Sequence, residues 1–167
     1  MMNAKFTDNA STKIIAFDFD NTLTVGDYFP KIGHPRAYAK QVVNLLYDLG
    51  ATVLIWTCRD RSKDTPIENN DVGVMQDWLC QHGFKYHDIN TCIKYAPFRY
   101  EARKIYAHMY VDDKGFGWED RDDILLDVLV SFLHKCMGYD KYMLAELKCK
   151  IIRHEEVDAR WVRENCM

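Results

Sequence analysis

Between Lys13 and Thr24 the chain reads KIIAFDFDNTLT, and few folds accommodate such a stretch. Ile14 to Phe17 have the length and apolar character of a buried strand. The strand delivers Asp18 and Asp20 to the loop at its carboxyl end, followed by Asn21, Thr22 and Leu23. Open α/β sheets place their chemistry at such strand ends. Two acids and a hydroxyl crowded there repel one another unless a cation or a proton lies between them, so stability alone does not account for them. The stretch predicts an α/β fold that uses a divalent metal and carries out a reaction.

The rest of the chain supplies the partners of that strand. Val25 to Gly33 carries turn residues and aromatics and reads as a short flap beside the site. His34-Pro35 is expected to open a helix that runs to about Leu49, with Gly50 as its stop. Ala51 to Trp56 is a second buried strand, and it ends in Thr57-Cys58-Arg59-Asp60. Ser62 to Asn70 reads as polar loop, Asp71 to His82 as a helix stopped by Gly83, and Phe84 to Ile89 as a short strand. Asn90 to Arg103 has no clear period. Lys104 to Val111 (KIYAHMYV) reads as a buried strand closing in Asp112-Asp113-Lys114-Gly115, with His108 as a hydrogen-bonded core histidine. Arg121 to Met137 is apolar on more than one face and must be covered widely. Tyr139 to Cys166 carries one or two amphipathic helices.

Strands alternating with helices imply right-handed crossovers and a mostly parallel sheet. The expected architecture is a three-layer, Rossmann-like α/β sandwich. It comprises a loose segment over residues 1–12, a core over 13–120, and a C-terminal helical extension over 121–167 that packs on the core or serves a subunit contact. The 167 residues suit one domain with a substantial core. Lys and Arg number 22 against 25 Asp and Glu, a net charge of −3, which argues against a general nucleic-acid or anionic-membrane binder. The six cysteines form no Cys-x-x-Cys pair and follow no secretory signal, so reduced thiols and a cytoplasmic location are expected. No apolar run approaches the roughly 20 residues of a membrane span.

Apolar strand followed by Asp-x-Asp-x-Thr-Leu resembles the first motif of the haloacid dehalogenase superfamily of Mg-dependent phosphohydrolases. Thr57 at the next strand end resembles its second motif. Lys104 leading into a strand that closes in Asp112-Asp113 resembles the third and fourth, as arranged in the compact 5′-deoxynucleotidase-like members. The resemblance covers roughly Lys13 to Gly117. It implies that Asp18 is the nucleophile that becomes an aspartyl phosphate, and that Asp20 is the general acid and then the general base. Thr57 would orient a phosphoryl oxygen, and Lys104, with Lys94 in reserve, would offset charge. Mg²⁺ would be held by Asp18, the backbone carbonyl of Asp20 and Asp112, with Asp113 behind them. Arg59, Asn21 and Thr22 are candidate substrate-binding residues, although an arginine after a strand is commonly a surface residue. Asn21 stands where the family often has glycine.

With no room for a large cap, the pocket should be open and suit a bulky phosphate ester, a nucleotide or a phosphorylated macromolecule. Tyr28, Phe29 and Trp118 are candidates to stack on a base, or else anchors of their loops. Two rival readings use the same residue types. One is a phosphoacceptor signalling domain of the receiver type, in which the phosphorylated aspartate ends a later strand. The other is a noncatalytic scaffold. A homo-oligomer through the C-terminal helices is a further expectation.

Overall fold

Strand β1 (Ile14–Phe17) lies inside the sheet because its side chains are apolar on both faces. The computed structural model describes residues 12–26, 29, 31–59, 72–96 and 104–167. Within these, β1 pairs in parallel with β4 (Thr52–Ile55) on one side and with β6 (Met109–Val111) on the other, and β4 pairs in parallel with β5 (Asp88–Ile89). The sheet order is β5-β4-β1-β6, a Rossmann-like α/β arrangement. The register sets Phe17 beside Ile55 and Val111, so the residues that follow β1, β4 and β6 all emerge at one edge.

Alternation along the strands divides the interior. Ile15, Phe17, Val53, Ile55 and Val111 join the larger cluster, which also takes the apolar faces of helices α1 (Ala39–Asp48), α2 (Val72–Gln81), α3 (Ile124–Met137), α4 (Lys141–Ile152) and α5 (Ala159–Asn165). Ile14, Ala16 and Leu54 face the other way, onto Cys92 and Ile105 with Tyr95, Ala96 and Tyr106 packed around them. Phe17 sits at the centre of the larger cluster, where truncation to alanine should cost about 3–5 kcal/mol.

The helix boundaries follow local chemistry. Gly138, at φ 81°, ends α3 in the left-handed conformation. Asp140 caps α4 by accepting from the Tyr142 and Met143 N–H groups, and Asp158 caps α5 by accepting from the Trp161 N–H. The last helix is tied back at two points: Arg163 donates to the Asp48 carbonyl at 2.6 Å, and the Asp140 N–H donates to the Cys166 carbonyl at 2.8 Å. Among the described residues, no helix is long and apolar enough to cross a membrane.

Three expected elements change. His34-Pro35 does not open α1 but forms β3 (His34–Pro35), antiparallel to β2 (Thr24–Val25), with Thr24 opposite Pro35 and Val25 opposite His34. The Arg36 N–H continues this ladder to the Leu23 carbonyl at 2.8 Å, a long-range pairing that overrides the fitness of proline for a first helical turn. The expected strand from Lys104 begins only at Met109, because the Tyr110 hydroxyl reaches back to the Ile105 carbonyl at 2.5 Å and curls the preceding residues out of the ladder. His108 is hydrogen-bonded as expected, but it is exposed rather than core. The predicted loop 62–70, the N-terminal residues 1–11, Tyr28 and Asp60 lie outside the described residues.

Candidate active site

The ends of β1, β4 and β6 carry the site. Beyond Phe17, the Asp18 N–H donates to the Val111 carbonyl at 2.8 Å, which brings the residues after β1 against those after β6. Thr22 then joins the two loops. Its hydroxyl accepts the Asp113 N–H at 2.9 Å and donates to Asp18 Oδ2 at 3.1 Å. An oxygen that accepts the amide turns its own hydrogen toward the carboxylate, so the two bonds fix one orientation. Thr22 is fully buried, and it serves the acids rather than facing an open pocket.

Asp18, Asp112 and Asp113 each offer a carboxylate oxygen within 4.8 Å of the others. The turn that presents Asp112 is tight: the Gly115 N–H donates to the Asp112 carbonyl at 2.8 Å, and a Cβ on Gly115 would lie 2.9 Å from that oxygen. The Lys114 N–H donates to Asp112 Oδ1 at 2.8 Å. Burial pushes the Asp18 carboxyl up to about 7 from its ordinary 3.8, against the pull of the Phe19 N–H and the Thr22 hydroxyl, and Asp112 and Asp20 add to the rise. Such a cluster of hard oxygen donors, in which Asp18 resists ionisation, could hold a divalent cation.

Asp20 is not in that trio. Its carboxylate is held by Arg59, with Nε 2.9 Å from Oδ2 and Nη2 2.5 Å from Oδ1. Arg59 is only 1% exposed, so its fork is turned inward to a protein carboxylate. Thr57 is buried, and its Oγ1 accepts the Arg59 N–H at 3.1 Å, which leaves the hydroxyl hydrogen for another acceptor. Asn21 adopts φ 59°, with its N–H on Thr24 Oγ1 at 3.2 Å and its carbonyl on Arg36.

The expected lysines lie elsewhere. Lys104 is exposed, with Nζ 4.4 Å from the Tyr110 ring centroid, and Lys94 pairs with Asp88 at 3.3 Å. Among the described residues, the ammonium that meets the acids is that of Lys114, which pairs with Asp113. Its pKa is raised, first by that hydrogen bond and further by the charges of Asp112 and Asp18. Its position directly after the Asp112-Asp113 pair was the available signal.

Two positioning residues had no such signal. Asn90, at φ 54°, accepts the Thr57 N–H on Oδ1 and donates through Nδ2 to the Thr57 carbonyl, both at 2.8 Å, extending the sheet by a side chain. Buried Arg36 donates to the carbonyls of Thr22 (3.0 Å) and Asn21 (2.7 Å), pairs with Asp120 at 2.9 Å and lies 5.3 Å from the Trp118 ring centroid. It thereby clamps the loop after β1 to the loop after β6, and Trp118 anchors that clamp. Phe29 lies against Arg59.

No family model matches the chain, and no curated protein matches it in sequence. Among solved structures, a conserved protein from Bacteroides thetaiotaomicron is similar in fold. The TM-score is 0.52 at 20% identity, over 68% of this chain and 86% of that one.

Proposed function

We propose that the protein is a phosphohydrolase of the haloacid dehalogenase type, cleaving phosphate monoesters through an aspartyl phosphate on Asp18. The observation that carries this reading is the Thr22-bridged meeting of Asp18 with Asp112 and Asp113 at the carboxyl edge of the sheet. It sits where an α/β sheet places reactive groups.

In the first step an Asp18 oxygen attacks phosphorus in line, the bond to the leaving oxygen breaks, and that oxygen takes a proton from Asp20. In the second, water attacks the aspartyl phosphate and gives a proton to the Asp20 carboxylate. The Asp18 carboxylate is restored and inorganic phosphate leaves. The Thr22 hydroxyl holds the attacking carboxylate in one orientation, Thr57 has a hydroxyl hydrogen for a phosphoryl oxygen, and the Lys114 ammonium offsets charge at the acids. Asp18, Asp112 and Asp113 would hold Mg²⁺, which when bound neutralises phosphoryl charge. The substrates that fit are small or macromolecular phosphate esters.

The test is phosphate release from p-nitrophenyl phosphate and a panel of nucleotides with Mg²⁺, for wild type, Asp18→Asn and Asp20→Asn. The expected result is turnover by wild type, none by Asp18→Asn and a large loss with residual release by Asp20→Asn, all of it abolished by chelator. Mg²⁺ binding without release from any ester would overturn the reading in favour of a phosphoacceptor or a scaffold.

A further inference from the structure

Asp20 must present its carboxyl group to a leaving oxygen, and Phe29 and Lys31 stand in the connection between β2 and β3. All three meet at Arg59. A fully buried arginine keeps its charge and needs partners to be tolerated. One edge of this guanidinium, Nε with Nη2, engages both oxygens of Asp20, at 2.9 and 2.5 Å. Nη2 also donates to the Lys31 carbonyl at 3.1 Å. The guanidinium carbon lies 5.4 Å from the Phe19 ring centroid and 5.3 Å from that of Phe29. Phe29 and Lys31 belong to the flap, whereas Phe19 and Asp20 belong to the loop after β1. Arg59 itself is anchored through its N–H to Thr57.

We infer that Arg59 is the positioning residue for Asp20, braced by the Lys31 carbonyl and the Phe29 ring. This rests on the hydrolase reading. Two parallel hydrogen bonds fix the plane of a carboxyl group as a point charge does not, and so decide which lone pairs face the leaving oxygen. The bond to the Lys31 carbonyl and the contact with Phe29 brace the same guanidinium, so they help keep the fork on Asp20. The role differs from direct substrate binding, for which the fork would have to face the pocket.

The two roles separate by leaving group. A nitrophenolate departs without a proton, whereas an alkoxide must take one from Asp20 as its bond to phosphorus breaks. We therefore compare kcat/KM on p-nitrophenyl phosphate and β-glycerol phosphate for wild type, Arg59→Met, Arg59→Lys and each combined with Asp20→Asn. Arg59→Met is expected to lower kcat/KM on the alkyl ester by about 10²-fold and on the aryl ester by less than about tenfold. Arg59→Lys, which keeps the charge and loses the fork, should stay defective on the alkyl ester. In the Asp20→Asn background neither substitution should add to the alkyl loss. Equal losses on both esters, full rescue by lysine, or additive losses with Asp20→Asn would each overturn the positioning role while leaving the hydrolase reading standing. A wild type inactive on both esters would overturn the hydrolase reading and this inference with it. Should Arg59→Met fail to fold, the lysine variants carry the same comparison.

Discussion

The two edges of the central sheet treat their polar groups in opposite ways. At the amino edge, His87 and His108 make the same pair of bonds. Each donates its backbone N–H to a neighbouring carbonyl, Val53 for His87 and Ile14 for His108, both at 2.8 Å. Each also accepts the N–H of that same residue on its ring Nδ1, at 3.1 and 3.0 Å respectively. The accepting nitrogen must be unprotonated, and desolvation lowers both histidines below their ordinary 6.5. At the carboxyl edge the chain instead gathers Asp18, Asp112 and Asp113, and burial makes Asp18 resist ionisation. The same sheet thus closes one end with neutral acceptors and accumulates like charge at the other. Departures of this kind from local consistency are expected at functional sites, where stability is given up for chemistry.

The largest effect expected from breaking this contrast is at Asp18. Asp18→Asn should lower turnover by roughly 10⁴-fold or more, yet raise the melting temperature of the metal-free protein at neutral pH. An amide removes the charge that burial and Asp112 oppose, and it can still accept from Thr22. Activity assays paired with thermal melts in chelator check both halves. A variant that loses activity and stability together would mean that the acidic edge is a structural feature.

Thr22→Val is expected to act less strongly but on both loops at once. It strands the Asp113 N–H, at a cost of about 1–3 kcal/mol. It also removes the O–H that opposes the rise in the Asp18 pKa. Apparent affinity for Mg²⁺ near pH 7 should fall as less of Asp18 is ionised in the metal-free protein, and the loss should shrink at higher pH. Thr22→Ser, which keeps the hydroxyl, should restore both properties. Denaturant melts and Mg²⁺ titrations across pH on the three proteins measure this, and a pH-independent loss would assign Thr22 to packing alone.

How much of this was legible depends on whether the signal was local. Ile14 to Phe17 and Thr52 to Ile55 announce themselves because a strand buried on both faces is continuously apolar, and the acids after them follow from where such strands end. Thr22 was visible as a residue beside the acids, but its bridge spans 91 positions to Asp113 and has no trace in periodicity. β3 escaped because His34-Pro35 suits a helix start locally, and only the pairing with Thr24 and Val25 decides otherwise. Asn90 lies in a stretch without period, and its left-handed backbone and amide pairing to Thr57 appear only in three dimensions. Lys104 stands locally at the start of an apolar run, whereas the chain curls there and Lys114 brings its ammonium to the acids.

The smallest effect expected is at the amino edge, because both histidines remain exposed and solvent screens them. His87 faces Asp88, Tyr47 and Tyr95, and His108 faces Lys13 and Tyr106. With folded pKa values below the unfolded 6.5, the two rings contribute stability that is complete above that pH and is lost as pH falls through their folded values. Asp18 bends the curve the other way: its folded pKa near 7 exceeds the ordinary 3.8, so it weakens the metal-free fold as pH rises across that interval. The histidine contribution is therefore isolated in the Asp18→Asn background. There the melting temperature should climb from pH 5 to pH 7, and the climb should flatten when His87→Gln and His108→Gln are added. Identical slopes with and without the histidines would show that the amino edge is indifferent to protonation. The contrast between the edges would then reduce to the acids alone.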